Sequence, residues 1–505
     1  MPPQPISDGE RGDASHPRPL SYEERGETPH GQLLSDEERG ETPHGQLLSD
    51  EERGVRRIHF VGVGGAGLSA LARVMLGRGF VVSGSDATAS RVTDDLADAG
   101  VKIFVGHAAE NIAGADLIVV TSAAPADNPE IVAAQAQNIP LLRRREFLRE
   151  VTAGYDTIAI AGSHGKTTTT AMIATLLADA GFDPTAVIGG MIPEWQTNAR
   201  VGTGKLLVIE ADEYDYAFLG LEPFIAVVTN VDYDHPDLFP TRDAYQNAFA
   251  QFMAQTRRDG VLVVCGDEQV ALDLASRSGR AVVTYGLGRD NDWRAEEVLP
   301  NARGGSDFTV LHGGNALGQA SLQVPGTHNV LNALAAIVVT RRCGAAYAVA
   351  GETLTKFKGV GRRFQVHGTF HGAVVIDDYA HHPTEIRATL SAARMRYPHA
   401  KIWALFQPHT FSRTRALLDE FANAFEDADR VLVTEIYAAR ERDAAGLSST
   451  SLVERMDARK TQFVAALAQA EELLRKELRD GDVLVTLGAG NVNQVAARLM
   501  QDDYA

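Results

Sequence analysis

The chain has 505 residues, with 48 Lys and Arg against 66 Asp and Glu, a formal net charge of −18. At roughly 100–200 residues per domain this length predicts about three domains, and 44% hydrophobic with 23% charged residues excludes a chain disordered or fibrous throughout. The acidic balance argues against a nucleic-acid partner, and two cysteines exclude a disulfide framework or a four-cysteine zinc site.

Leu20–Leu33 and Leu34–Leu47 are copies of a 14-residue unit that differ at Tyr22 and Asp36, and a further copy breaks off at Gly54. Leucines at its edges are the only aliphatic residues of the unit. It cannot bury enough apolar surface to offset the entropy of ordering, so residues 1–54 are expected to form a disordered tail. Met1–Glu10 shows no basic segment followed by an apolar one. No run of about 18 apolar residues follows, so a cytoplasmic protein with no membrane partner is expected.

Arg57–Val63 reads as a strand and leads into Gly62-Val-Gly64-Gly65-Ala-Gly67 and a helical pattern over Leu68–Leu76. Glycines at that spacing allow a tight turn and close approach of a diphosphate to backbone N–H groups at a helix start. A second strand, Phe80–Ser83, ends in Gly84-Ser85-Asp86, where an acid commonly meets a ribose hydroxyl. Further strand–turn units place His107 after Val101–Val105 and Ser122 after Leu117–Thr121. Nicotinamide, flavin and UDP-sugars all satisfy this pattern.

Thr157–Ala161 opens a second unit and runs into Gly162-Ser163-His164-Gly165-Lys166-Thr167-Thr168, then a helix through Leu177. Two residues separate the glycines instead of the four of the usual P-loop. The chemistry survives: backbone N–H groups and the helix dipole cradle phosphate, Lys166 adds charge and the Thr167 hydroxyl suits Mg²⁺. Lys205–Glu210 is a strand that ends in acids, followed by Asp212, Glu213 and Asp215. Such crowding predicts a divalent cation. The strand Ile225–Asn230 leads to Asp232, Asp234 and His235, the histidine either a metal ligand or hydrogen-bonded to Asp234. Asn329 and Asn332 share a helical face and suit an adenine edge, unless Asn329 caps its helix.

Taken together, Gly62–Gly67, Gly162–Thr168, Glu210–Asp215, Asn230–His235 and His328–Asn332 resemble, in their order, the Mur ligases, ATP-dependent amide-forming ligases of peptidoglycan precursor synthesis. Gly361–Phe364, Asp377–Pro383, Phe406–Thr414, Glu435–Glu441 and Thr486–Gly490 extend the resemblance to the branch that adds L-alanine to UDP-N-acetylmuramate. The resemblance implies an α/β fold of three domains: a Rossmann-like UDP-sugar domain (55–152), a central P-loop ATP domain (153–343) and a Rossmann-like amino-acid domain (344–505). It implies ATP with Mg²⁺, and UDP-N-acetylmuramate and L-alanine as small-molecule partners, in a monomer or a homodimer.

By the same resemblance, Lys166, Glu210, His235 and Arg363 are catalytic. Gly162, Ser163, His164, Gly165, Lys166, Thr167, Thr168, Asn329, Asn332 and Asp378 hold ATP. Thr167, Glu210 and His235 hold the metal, with Glu213 an alternative. Gly64, Gly65, Ser85, Asp86, His107, Ser122 and Asn198 face the UDP-sugar, and Tyr379, His381, His382 and Arg413 the amino acid. Two departures stand out: Tyr214 where this branch commonly has serine, as in the tripeptide-adding relative, and Thr410 where some members have arginine. Members that add later residues hold a second Mg²⁺ on a carbamylated lysine after the histidine, yet no lysine occurs here between Lys205 and Lys356. A nicotinamide oxidoreductase, a nucleotide-dependent switch and the tripeptide-adding ligase are the rival readings; the first two leave part of the motif set unexplained, and the third, as a family, lacks a segment such as Phe406–Thr414.

Overall fold

The computed structural model describes residues 56–442 and 446–501, so the 14-residue repeats lie outside the described residues. Three sheets organise the chain. The first contains β1 (Arg57–Val61), β2 (Val81–Asp86), β3 (Lys102–Val105), β4 (Leu117–Val120) and β5 (Leu141–Arg143), all parallel, in the order β3-β2-β1-β4-β5. The strands β1 and β4 are almost wholly buried, as expected of a parallel sheet covered on both faces. Register pairs Val61 with Ser85 and with Val120, so the turns that follow β1, β2 and β4 leave at one edge. Strand order reverses between β1 and β4, which makes that edge the crevice where open α/β sheets take ligands. Two helices border it: α1 (Ala66–Gly77), which starts in the glycine-rich turn, and α2 (Pro129–Ala136).

The central sheet contains β6 (Asp156–Ala161), β7 (Thr185–Ile192), β8 (Thr197–Arg200), β9 (Leu206–Glu210), β10 (Ile225–Val228), β11 (Val261–Cys265), β12 (Ala281–Gly286), β13 (Trp293–Pro300), β14 (Ser306–His312) and β15 (Asn315–Ser321). Its order is β15-β14-β13-β12-β11-β10-β6-β9-β7-β8, parallel in the middle and antiparallel at both ends. Register pairs Ala161 with Val228 and Ile160 with Glu210, so the phosphate loop, the acid cluster and the Thr229–His235 segment emerge together. The helix α3 (Lys166–Asp179) is buried nearly all round, as is α4 (Thr327–Arg342), and the two lie side by side in one core. That packing brings Asn332 of α4 to the first turn of α3.

The expected border at 343/344 falls inside this core. Helix α5 (Tyr347–Lys356) buries Ala350 and Leu354, followed by Phe357 and Val360, in the same apolar cluster as α3 and α4, and Thr353 Oγ1 donates to Asp179 Oδ2 at 2.6 Å. An amphipathic helix belongs to the core that its apolar face joins, so the third body begins at about Gly361.

The third sheet contains β16 (Gln365–Phe370), β17 (Ala373–Asp378), β18 (Ile402–Phe406), β19 (Arg430–Val433), β20 (Thr461–Phe463) and β21 (Val483–Leu487), in the order β16-β17-β21-β18-β19-β20 with only β16 antiparallel. The segments after β17 and β18, which lead into α6 (Pro383–Arg396) and α7 (Phe411–Ala416), leave on the side facing the central sheet. Among the described residues no helix is long and apolar enough to cross a membrane.

Candidate active site

The phosphate loop is tied to the segment after β10. His164 N donates to Asn230 Oδ1 at 2.9 Å, Thr229 Oγ1 donates to His164 O at 2.6 Å, and Ser163 Oγ bonds Asp232 O at 2.6 Å. Gly162 and Gly165 have φ of +140° and +81°, and a Cβ on Gly165 would lie 2.6 Å from Asn332 Oδ1. Both positions therefore require glycine. Asn332 accepts from Thr169 Oγ1 at 3.1 Å and donates to Asn329, whose Nδ2 donates to Pro325 O at 2.7 Å. Gly326 occupies the N-cap of α4, so Asn329 is not its cap.

Lys166 Nζ lies 2.8 Å from Glu213 Oε2 and 3.1 Å from Ser163 O. Burial opposes its charge, but Glu213, Asp212 and Glu210 outweigh that and push its pKa up. Glu210 accepts from Gly189 N at 2.8 Å and from Thr167 Oγ1 at 3.2 Å. Burial, with Asp212 adding to it, pushes the Glu210 carboxyl up against the pull of Lys166. The crowding of acids finds part of its answer in cations of the chain itself. Lys166 takes Glu213, and Arg144, from the first body, takes Asp212 at 2.6 Å. Sequence reasoning missed Arg144, which also lies against Gly67 of the glycine-rich turn.

His235, at φ +54°, sets Nε2 3.7 Å from Glu213 Oε1 and its ring edge-on to Tyr214 at 5.0 Å. Its side chain does not hydrogen-bond Asp234, the alternative that the sequence left open; Nε2 is 3.7 Å away. Asp234 is taken instead by Arg413 of α7, Nε to Oδ1 at 2.6 Å and Nη2 to Oδ2 at 3.2 Å. Thus Thr167 joins Glu210 and His235 joins Glu213, with Lys166 beside both acids. These are hard oxygen donors plus one imidazole, with Glu210 oriented by Gly189 N and Thr167, and their donor chemistry suits Mg²⁺.

Among the described residues, the His, Cys, Asp and Glu side chains whose donor atoms lie within 4.8 Å of one another in a group of three are His164, Asp232 and His382. Burial works against a proton on His164, but Asp232 and Glu385 on either side raise its pKa to about 9.

A cavity of about 430 Å³ is lined by His164, Gly165, Thr167, Thr168, Asn329, Asn332, Arg363 and Asp378 among others. Residues from two bodies and three sequence regions thus meet in a space of the size small-ligand sites use. Asp378 accepts from Phe364 N and Ala380 N, both at 2.7 Å, and burial raises its pKa to about 6 although Arg363 opposes it. Arg363 lies over the Tyr379 ring at 5.2 Å.

The amino-acid set divides. His381, Tyr379 and Arg413 cluster with His409, which sequence reasoning did not single out: Arg413 Nη1 is 3.2 Å from His409 Nδ1, and His381 Nδ1 is 3.0 Å from Tyr379 O. His382 departs from the expectation. Its Nδ1 accepts from Thr384 N at 3.3 Å as the N-cap of α6, and its Nε2 meets Tyr233 O at 3.2 Å. With both nitrogens engaged and 3% exposure, His382 braces the joint between bodies. The missed residue Glu385 completes the capping box and reaches His164 at 3.3 Å; its signal was an acid three residues after the cap.

In the first body, Gly64, Gly65, Ser85, Asp86, His107 and Ser122 all lie at the crevice edge described above, and Gly64 N donates to Asp86 Oδ2 at 2.9 Å. Asn198, on β8, donates to Ala66 O and Ser69 Oγ at 3.1 Å each, and so ties the central body to the start of α1.

Comparison with known proteins agrees along the chain. The Mur ligase family, catalytic domain, matches residues 57–156, the Mur ligase middle domain 160–340 and the Mur ligase, glutamate ligase domain 362–490. The UDP-N-acetylmuramate–L-alanine ligase of Frankia casuarinae is 45% identical over 489 residues, covering 88% of this chain and 97% of that protein. Its counterpart in Caldanaerobacter subterraneus is 41% identical, covering 89% and 98%. Among solved structures, the UDP-N-acetylmuramate–alanine ligase of Thermotoga maritima has a TM-score of 0.76 at 31% identity, covering 89% of this chain and 99% of that one. A murein peptide ligase of Psychrobacter arcticus has a TM-score of 0.67 at 26% identity, covering 88% and 98%. With three family domains in order and relatives above 40% identity along almost its whole described length, the chain belongs to the Mur ligase family.

Proposed function

We propose that the chain joins L-alanine to the carboxylate of UDP-N-acetylmuramate at the expense of ATP, releasing ADP and phosphate, in peptidoglycan precursor synthesis. The observation that carries the reading is the convergence of Lys166, Glu213 and His235 from the central body with Arg413 from the third. A phosphate-handling group thereby faces an arginine–histidine surface across one joint. Relatives named for this reaction support the choice of substrates.

Amide formation from a carboxylate requires a better leaving group than hydroxide, which transfer of the γ-phosphoryl of ATP supplies; the L-alanine amine then displaces phosphate from the acyl phosphate. Negative charge gathers on phosphoryl oxygens in both steps, so fixed cations and amide dipoles do most of the catalysis. Here the start of α3 presents N–H groups, Lys166 supplies one positive charge and Arg363, brought over by the third sheet, another. Thr167, Glu210 and His235, with Glu213 adjacent, would hold Mg²⁺, which when bound neutralises phosphate charge. Asn329, Asn332 and Asp378 shape the nucleotide cavity. Tyr379, His381 and Arg413 face the amino acid, and the crevice of the first sheet with Asn198 takes the UDP-sugar.

The test is phosphate release with ATP and UDP-N-acetylmuramate, with each amino acid added in turn. Release that depends on L-alanine is expected. Release only with a tripeptide would overturn the reading in favour of a murein peptide ligase, the second reading, which Tyr214 favours. Its hydroxyl donates to Asp237 at 3.1 Å, and Arg440 lies over its ring at 4.4 Å.

A further inference from the structure

Beneath the crevice of the first sheet lies a carboxylate that no motif singled out. Glu130, in the first turn of α2, is 0% exposed. Its carboxylate does not cap its own helix; Asn128 does that. It points to the sheet instead. Oε2 accepts from Ser85 Oγ at 2.7 Å and lies 2.9 Å from His107 Nδ1, and Oε1 accepts from Asn111 Nδ2 at 2.6 Å. His59 Nε2, fully buried and with no other partner among the described residues, lies 3.7 Å from Oε1. No Lys or Arg neutralises the group in the described residues. Burying an unpaired carboxylate is unfavourable, and packing alone would be met by an apolar residue, as at its neighbours Ile131, Ala133 and Ala134.

Two of the three hydrogen-bonding groups, Ser85 and His107, stand at the carboxyl ends of β2 and β3, where the ligand is expected. The carboxylate fixes what they can offer. An ionised carboxylate only accepts, so His107 must carry its proton on Nδ1. Nε2 takes no hydrogen bond within the described residues, and the side chain keeps 24% exposure. The ring is thus held in one tautomer and one orientation, as a carboxylate fixes a ligating histidine in a metal site. The donors hold Glu130 ionised against the effect of burial, with a pKa lowered to about 2.

We infer that Glu130 is a positioning residue for the UDP moiety, acting through His107 and Ser85 by fixing the His107 tautomer and the Ser85 rotamer. The inference rests on the proposed UDP-sugar site. In Glu130→Gln the amide brings a donor to a network that met only acceptor oxygens, so either His107 Nδ1 and Ser85 Oγ must turn to accept, losing the fixed tautomer and rotamer, or a bond is lost, while shape is kept.

The test is steady-state kinetics of the full chain for Glu130→Gln, His107→Ala and the double variant, with melting temperatures. The expected result is a KM for UDP-N-acetylmuramate raised on the order of tenfold to a hundredfold. The KM for ATP and kcat should stay within about twofold, and Glu130→Gln should add little in the His107→Ala background, because coupled residues are not additive. An unchanged KM for the UDP-sugar, or fully multiplicative effects in the double variant, would overturn the inference. So would equal losses toward both substrates with a lowered melting temperature, which mark a merely structural group. If Glu130→Gln fails to fold, Ser85→Ala and its pairing with His107→Ala probe the same network from the ligand side; a KM unmoved by both would overturn it. The proposed site fails separately. Wild-type activity with neither Ser85→Ala nor His107→Ala affecting UDP-sugar binding by calorimetry would remove the site itself, whereas weakened binding in those two with an unaffected Glu130→Gln removes only the inference.

Discussion

Replacing Arg413 by Met should open the molecule rather than unfold it. The guanidinium on α7 grips the Asp234 carboxylate of the central body through two nitrogens, at 2.6 and 3.2 Å, and the two side chains are 3% and 4% exposed. Burial would raise the Asp234 pKa, but Arg413 and His235 outweigh it and hold the carboxyl well below the usual range. Removing one partner of a buried pair leaves an uncompensated charge and typically costs about 3–5 kcal/mol. Here the partners belong to different bodies, so Asp234 can regain water if the third body swings away. Other polar ties at that joint include Thr384 Oγ1 to Asp232 at 2.7 Å, His382 to Tyr233 O at 3.2 Å, His164 to Glu385 at 3.3 Å, Arg242 to Glu420 at 3.8 Å and Arg440 over the Tyr214 ring at 4.4 Å. At about 0.5–1.5 kcal/mol net for a neutral bond and somewhat more for a charged one, they roughly match the loss. Closed and open forms should then become comparably populated. Small-angle scattering of Arg413→Met should show a larger radius of gyration, and kcat/KM should fall by about twofold from the lost closed population and further where Arg413 contacts the amino acid. Adding Asp234→Asn removes the stranded charge and should restore compactness. Arg413→Met with an unchanged scattering profile and a melting temperature lowered by several degrees would refute the argument, since the pair would then support folding and not docking.

Three further outcomes follow from the same geometry. Lys166→Ala should lower turnover by a factor on the order of a hundred to a thousand while sparing UDP-sugar binding, measured by phosphate release and calorimetry. His164 is raised to about 9 by Asp232 of its own body and by Glu385 of the third; only the Glu385 share is linked to docking, and it is lost as pH rises through about 9, so scattering should show opening as that pH is passed, and His164→Gln should flatten the dependence. Activity should not depend on bicarbonate, because no lysine lies between Lys205 and Lys356 to be carbamylated, so reversible inactivation on rigorous CO₂ removal would contradict the metal assignment.

What the sequence determined by itself was local. Glycines at Gly62–Gly67 and Gly162–Gly165, each between an apolar run and a helix, marked strand–turn–helix units, and the structure places β1 and β6 within two residues of the expected ends. Backbone sterics and burial act over a few residues, so they leave their mark in contiguous text. Tertiary structure alone decided which side chains meet. Arg413 and Asp234 are 179 residues apart, Arg144 and Asp212 are 68 apart, and Ser85 and Glu130 are 45 apart. The helix Tyr347–Lys356 has an apolar face that any core could accept; the central one takes it. His382 could ligate, titrate or cap, and its place at the start of α6 beneath Tyr233 made it a cap. Charge pairing and packing depend on distance in space, and only the docked bodies set those distances.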